Sequence, residues 1–421
     1  MRPYDIAVIG GGPAGAMAAI RAGGLCAGGK KGRVVLIERN DAIGKKLLLT
    51  GKGRCNITNM APIDTFIERF GRQGAFYRSA FHAFFNKDLV EFLKSKGLRL
   101  KMERQGRVFP VSDKAKSVVE TLMKCLSEKN VEVRYNMRLL GIKTKDPLLR
   151  MDFVSHESLY AKRVILATGG ASYKKTGSAG DGFRIAERLE HTIMPLTPGL
   201  VPLVTKERWV KELKDLTLKN VRLIFSFGKK KIVSSIGECS FTPFGVSGPL
   251  VLDMSSRIIP ILKRDKRIRL FIDLKPALDQ AKLEKRLLRE FQADPSLHLK
   301  NILRHLMPQD LVPVFMRLAD VDAHKKANQI TQGERHSIAR LLKALPLTIT
   351  GSLPLEEAMI TGGGISTKEI DPRSMESRIV PGLYFAGEII DGCTSSGGYS
   401  LQQAFSTGYL AGQKAAAICV R

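Results

Sequence analysis

The chain has 421 residues, 44% of them hydrophobic, and a formal net charge of +28 at pH 7. Such a length can bury a sizeable core in two or three domains, no run of about eighteen apolar residues offers a membrane span, and the first strand begins too early for a signal peptide. The six cysteines, at 26, 55, 125, 239, 393 and 419, form no CxxC pair and no metal spacing, so a cytoplasmic protein with reduced thiols and no metal is expected, and the dithiol mechanism of the disulfide reductases is excluded.

Tyr4 to Ile9 is short, apolar and β-branched, and it breaks into Gly10-Gly11-Gly12-Pro13-Ala14-Gly15 before an Ala-rich stretch. The order predicts strand, tight turn, helix. Gly10 permits the turn, Gly12 lets a pyrophosphate approach the backbone, and Gly15 lets the helix pack on the strand. The phosphates would meet the unpaired N–H groups and positive dipole of the helix N-terminus. Val34 to Ile37 is a second buried strand ending on Glu38, where a carboxylate can hold a ribose hydroxyl. An acidic residue there argues against a 2′-phosphate and leaves FAD or NAD.

Leu47 to Asn59 contains Gly51-Lys52-Gly53-Arg54-Cys55-Asn56, a loop suited to lie against a flat or anionic ligand, without the Walker order. Residues 76–96 have helical periodicity, and their phenylalanines suit a core. Strands are expected over 98–111, a helix over 114–128, and strands over 131–161. Val164 to Leu166 forms another buried strand running into Ala167-Thr168-Gly169-Gly170, and a helix begins near Gly180. His191 suits a structural or a functional role equally.

From about Pro195 the pattern changes. Residues 200–273 alternate as antiparallel strands, whereas 276–345 carry a helical stripe. The expected organisation is an α/β, Rossmann-type two-dinucleotide-binding FAD domain formed by both chain ends, 1–194 and 351–421. It is interrupted by a β-rich subdomain, 195–275 with 346–360 returning through it, and by a helical subdomain, 276–345. Near the C-terminus a buried strand ends in Ala386-Gly387-Glu388, then Asp391, and Gly397-Gly398-Tyr399 opens a second Ala/Gly-rich helix. Asp391 can hold the ribityl or pyrophosphate region, and the Gly398–Tyr399 backbone can bring a helix N-terminus to a flavin ring.

The charge is spread over the body of the chain: +17 over residues 1–194, +13 over 195–350 and −2 over 351–421. It concentrates at Lys30-Lys31-Arg33, Lys94/Lys96/Arg99/Lys101, Lys229-Lys230-Lys231 and Lys263-Arg264-Lys266-Arg267-Arg269. A polyanion partner such as RNA and a merely solvated basic surface both remain open.

The first glycine turn, the Thr50 to Asn59 loop, Ala167 to Gly170, Thr361 to Gly364, Met375-Glu376-Ser377 and Gly382 to Gln402 together resemble the YhiN/BaiN-like flavoproteins, the aminoacetone oxidase family FAD-binding enzymes, nearly end to end. The resemblance implies bound FAD. Its contacts would be Gly10, Gly12, Pro13, Ala14, Gly15, Glu38 and Arg39; Lys46, Gly53 and Arg54; Ala167, Thr168 and Gly169; and Gly387, Asp391, Gly398, Tyr399, Ser400 and Leu401. It departs from the family pattern at Pro243 for a frequent His, at Ser400 for a frequent Asn, and in a lengthened Gly23 to Lys31 connection expected to lie on the surface. The implied chemistry is double-bond reduction, including uridine to dihydrouridine in ribosomal RNA, or oxidation of a small amine; a non-catalytic, flavin-stabilised RNA-binding factor is the third reading. Only one dinucleotide fingerprint is present, so NAD(P)H would dock transiently. Cys55, its pKa lowered by Lys52 and Arg54, is the candidate proton donor, with Asn56 as an orienting group.

Overall fold

The computed structural model describes residues 2–27 and 32–420. The chain divides into two compact units, residues 1–199 with 355–421, and residues 200–354.

In the first unit, β1 (Tyr4–Ile9) is buried along nearly its whole length. A parallel strand covered on both faces runs apolar without alternation. α1 (Pro13–Ala27) follows, with Pro13 at the first helical position, where a missing N–H breaks no bond. The helix absorbs the segment expected as a surface connection: Gly23 and Cys26 are buried, and a Cβ on Gly23 would lie 2.8 Å from Val131. Lys30 and Lys31 lie outside the described residues. β2 (Val34–Ile37) runs parallel to β1, Ile9 opposite Ile37.

Next come β3 (Thr58–Asn59), α2 (Ile63–Arg69), α3 (Gly74–Ala83), α4 (Asn86–Ser95), β4 (Leu100–Met102) and β5 (Arg107–Pro110). The single helix expected over 76–96 is therefore two. Phe84 is extended at φ −161°, and the Phe85 N–H donates to the Asp88 carboxylate at 2.7 Å, a local bond that starts a new helix. Phe81 and Phe85 meet Phe66 edge-on at 5.5 and 4.9 Å between centroids, so these aromatics are core. α5 (Ala115–Glu128), β6 (Glu132–Arg134), β7 (Leu139–Lys145), β8 (Leu148–Phe153) and β9 (His156–Leu166) complete the main sheet, ordered β6-β2-β1-β9-β8-β7. The early part of β9 pairs antiparallel with β8 and its later part parallel with β1, Leu166 opposite Ile9. That register delivers Ala167 to the side of Gly10. α6 (Asp181–Arg188) and β10 (Ile193–Gly199) follow.

The second unit contains β11 (Leu203–Thr205), β12 (Thr217–Phe227), β13 (Lys230–Thr242), β14 (Gly245–Ser247), α7 (Pro249–Leu262), β15 (Ile268–Asp273), α8 (Gln280–Ala293), α9 (Leu299–Arg304), α10 (Leu311–Ala319), α11 (Gln332–Lys343) and β16 (Leu345–Ser352). The strands close a barrel in the order β11-β14-β13-β12-β15-β16. α7 corrects the expectation of strands throughout 200–273. Leu250, Val251, Met254 and Ile258 are buried at helical spacing between alternating flanks that mask the period. The β-rich and helical segments form one unit where two subdomains were expected, because β16 closes the barrel only after the helices.

The chain returns through β17 (Ile360–Ile365), antiparallel to β10, and β18 (Leu383–Phe385), parallel to β9. α12 (Tyr399–Ala415) and α13 (Ala417–Val420) end it. α12 lies along α1 with almost no side chain between them: a Cβ on Gly408 would strike the Ala14 carbonyl, and one on Gly412 the Ala18 carbonyl. Cys26 and Cys419, expected as free thiols, are joined as a disulfide with Cα atoms 5.2 Å apart. Packing of α13 against α1 brings together two cysteines that are remote in sequence. Among the described residues no helix is long and apolar enough to cross a membrane, and no His/Cys/Asp/Glu cluster could hold a metal ion.

Candidate flavin site

The three glycines of the first turn have separate reasons. At Gly10 (φ +105°) a Cβ would lie 2.5 Å from the Ala167 carbonyl oxygen; at Gly15 it would strike the Gly10 carbonyl. At Gly12 nothing among the described residues, its chain neighbours aside, lies within 4 Å of where a Cβ would stand. That gap, at the N-terminus of α1, is a cradle shaped for an anion held by backbone N–H groups. Beside it the Glu38 carboxylate, largely buried, accepts from the Gly11 N–H at 2.7 Å and from the Asn40 backbone and side-chain nitrogens at 2.9 and 2.8 Å. Three donors fix it at the end of β2, where a ribose hydroxyl would meet it.

A second helix start stands ahead of the first. α1 and α12 run in the same direction, since Ala14 faces Gly408 and Ala18 faces Gly412. α12 begins at Tyr399 and α1 at Pro13, so α12 projects past α1 by roughly 12 Å at 1.5 Å per residue. An extended dinucleotide with its phosphates on α1 would reach the start of α12 with its ring. The loop containing Gly53, Cys55 and Asn56 is stitched to that start. Asn59 Nδ2 donates to the Gly397 carbonyl at 3.0 Å, Thr58 Oγ1 donates to Gln402 Oε1 at 2.6 Å, and a Cβ on Gly398 (φ +100°) would lie 2.5 Å from the Thr58 backbone. Gly53 (φ +83°) again has nothing within 4 Å of a Cβ. Asn56 Oδ1 and Thr168 Oγ1 are buried without a hydrogen-bond partner among the described residues. Open cradles and unpartnered polar atoms fit a bound FAD. Asp391 sits nearby, held by Gln73 Nε2 at 2.8 Å, its pKa raised by burial.

The family profile described as the HI0933-like protein Rossmann domain matches residues 4–414. The chain belongs to this family. It is 33% identical over 414 residues to the 3-dehydro-bile acid delta(4,6)-reductase of Clostridium scindens, with 98% of each chain covered. It is 29% identical over 417 residues to the ribosomal RNA dihydrouridine synthase of Escherichia coli, again with 98% of each covered. Among solved structures, a flavocytochrome c3 fumarate reductase superposes with a TM-score of 0.52 at 16% identity, covering 100% of this chain and 79% of that one. The 3-ketosteroid delta1-dehydrogenase of Sterolibacterium denitrificans gives 0.51 at 13%, covering 99% and 100%; at such identities these two show the fold alone. This member of the HI0933-like family is an FAD-dependent oxidoreductase.

Within this family member the expected basic contacts are all paired with carboxylates. Arg39 reaches Asp181 at 2.8 Å, Lys46 reaches Glu388 at 2.8 Å and Ser172 Oγ at 2.9 Å, and Arg54 reaches Glu103 at 2.8 Å while lying 4.1 Å over the Phe109 ring. The helix starts and their N–H groups remain as anion-binding elements. Tyr399 turns its ring edge-on to Phe66 at 4.6 Å, so its backbone is what it offers the site. Ser400 and Leu401 occupy the next half-buried positions of α12. Pro13 and Ala14 form the first turn of α1, and a Cβ on Gly387 would lie 2.7 Å from Ala14 Cβ. Sequence reasoning missed Glu388, which joins Lys46 to the Thr361 N–H at 2.7 Å; its place after Ala386-Gly387 was the available signal. His191 is structural: its Nε2 lies 2.8 Å from Ser377 Oγ, and burial pushes its pKa down.

Cys55 requires the plainest correction. Its thiol is fully buried, and burial pushes its pKa up to about 12, against the lowering expected from Lys52 and Arg54. Gly51, Lys52, Gly53 and Cys55 all have positive φ, which swings successive side chains apart, and Arg54 is committed to Glu103. Such a thiol stays protonated at neutral pH and packs as a small apolar group. Cys55→Ala is expected to retain FAD and keep turnover within about twofold, and iodoacetamide at neutral pH should leave the native thiol unlabelled; rapid labelling would show that the thiol is exposed.

Proposed function

We propose that this protein reduces a carbon–carbon double bond in a base of structured RNA, uridine to dihydrouridine, with NAD(P)H docking transiently as reductant. The observation that carries the reading is the +28 charge, which a small neutral substrate leaves without a use; the dihydrouridine synthase relative supports it. Bound FAD would supply the hydride chemistry. The chain's own part is to hold it: the Gly12 gap and the start of α1 for the phosphates, Glu38 for the ribose, and the Gly397–Tyr399 backbone for the ring, where the dipole of α12 favours developing negative charge. Asn56 Oδ1 offers an acceptor to an N–H of cofactor or substrate. In balance, the C=C bond gains a hydride and a solvent-derived proton while NAD(P)H becomes NAD(P)+. Ribosomal RNA as substrate would place the protein in the cytoplasm.

A second reading, reduction of a conjugated ketone in a small polycyclic molecule, is favoured by the higher identity to the bile acid reductase. The deciding experiment deletes the gene and compares nucleosides of ribosomal and transfer RNA by mass spectrometry. In parallel, purified protein is assayed with NAD(P)H and either RNA, a bile acid dienone, or small amines under oxygen. Loss of one dihydrouridine in the deletion strain is expected. Unchanged dihydrouridine with brisk turnover of the dienone or an amine would overturn the RNA reading.

A further inference from the structure

The basic clusters are not equivalent. In the first unit three are answered by carboxylates, Arg33 3.7 Å from Glu132, Lys96 2.6 Å from Glu128 and Lys101 2.5 Å from Asp113, and among the described residues only Lys94 and Arg99 of those clusters are exposed without an ion pair. In the second unit Lys229, Lys230, Lys231, Lys266, Arg267 and Arg269 are all exposed, and among the described residues none of them makes an ion pair.

The barrel register gathers them. Lys231 stands opposite Ser226, Ser226 opposite Arg269, and Arg269 opposite Thr348, whose carbonyl accepts the Lys206 N–H at 2.9 Å. Residues opposed across strands share a face. Ile268 and Leu270, either side of Arg269, are buried, so this row faces outward. Lys231 and Arg269 are two strand spacings apart, roughly 10 Å. The Gly228–Lys229 turn and the 263–267 loop extend the row at the same end of the barrel. The acids nearby are few: Asp265 lies in that loop, and Glu207 is occupied by the Thr348 N–H at 2.9 Å.

We propose that this end of the barrel is the surface that grips the phosphate backbone of double-helical RNA. The inference rests on the RNA reading above and adds where the RNA is held. Charge complementarity names the occupant. Cations fixed at intervals by a rigid sheet match a repeating polyanion, and unpaired ones release no protein carboxylate on binding. Val233 and Ile236 on β13 are 51% and 44% exposed, a combination an anionic membrane could also use, so vesicles form one arm of the test.

The test uses the full-chain holoenzyme and an RNA duplex of about 20 base pairs, just longer than a double-stranded-RNA module spans. Two triple variants neutralise the row: Lys229→Gln/Lys230→Gln/Lys231→Gln and Lys266→Gln/Arg267→Gln/Arg269→Gln. A control, Lys282→Gln/Arg286→Gln, removes charge from α8, where both cations already face carboxylates, Asp279 and Glu290. Each row variant is expected to weaken duplex binding at least about tenfold and to flatten the slope of log affinity against log salt by up to about 2.7, near 0.9 for each of three phosphates no longer neutralised. The α8 control should change affinity less than about twofold on the same reasoning, and FAD content should be unchanged in all three. Wild-type affinity in the row variants, equal loss in the α8 control, or loss of phosphatidylglycerol vesicle binding with duplex binding intact would overturn the proposal. Failure of the substrate reading is separable. Weakened duplex binding by the row variants, in a strain whose dihydrouridine is indifferent to the gene, leaves the surface standing and removes the substrate. Full restoration of dihydrouridine by a row variant does the reverse.

Discussion

Gly12→Val is expected to yield a folded, colourless protein. A Cβ there meets no described atom of another element within 4 Å, so the apo chain should accept it, and the space it enters is the one a pyrophosphate needs. The measurement is an absorbance spectrum, heat release of the cofactor, and its identification by mass, with circular dichroism as the check on folding. A ligand present at a hundred times its dissociation constant stabilises by about 2.7 kcal/mol, so the variant should melt where the apo wild type melts and gain nothing from added FAD. Gly15→Val provides the contrast. Its Cβ strikes the Gly10 carbonyl, and it should fail to fold at all. A yellow Gly12→Val protein would contradict the assignment of the phosphates to this turn.

Gly398→Val attacks the other helix start, and here the protein itself is expected to suffer. The residue has φ +100°, and its Cβ would lie 2.5 Å from the Thr58 backbone. Backbone strain of about 1–3 kcal/mol and overpacking of about 1–3 kcal/mol add to a loss of roughly 2–6 kcal/mol. For a unit this size that corresponds to a fall in Tm of about 10 °C. The first turn of α12 should loosen from the Thr50 to Asn59 loop, so any retained FAD should show a shifted, less structured flavin spectrum. An unchanged Tm and spectrum would mean that the loop and α12 are not rigidly joined.

What could be read from the sequence is what is local. The first turn, Glu38 at the end of β2 and the second glycine-led helix each sit within a few residues, with the small side chains their geometry demands. The partners of charged side chains are not local: Lys46 finds Glu388, and Arg54 finds Glu103, and a sequence shows the charge without its answer. Cys55 misleads for a related reason. Its neighbours along the chain are not its neighbours in space, because a run of positive φ separates them. The Cys26–Cys419 pair spans 393 residues, and no spacing rule reaches that far. α7 is hidden between alternating strands because its two prolines, Pro249 and Pro260, resemble turn signals, although one starts the helix and the other sits near its end.

The packing of Ala14 and Ala18 against Gly408 and Gly412 also sets the timetable of synthesis. The first helix is made early and its mate begins only at Tyr399, a wait of tens of seconds at roughly 5–20 residues per second. Residues 200–354 are contiguous and form a compact unit, so they can finish folding during that wait while the alanine-lined face of α1 stays uncovered by α12. Capture of FAD therefore waits until α12 has been made. A chain cut before Gly397 would carry its nucleotide turn but lack the helix start assigned to the ring.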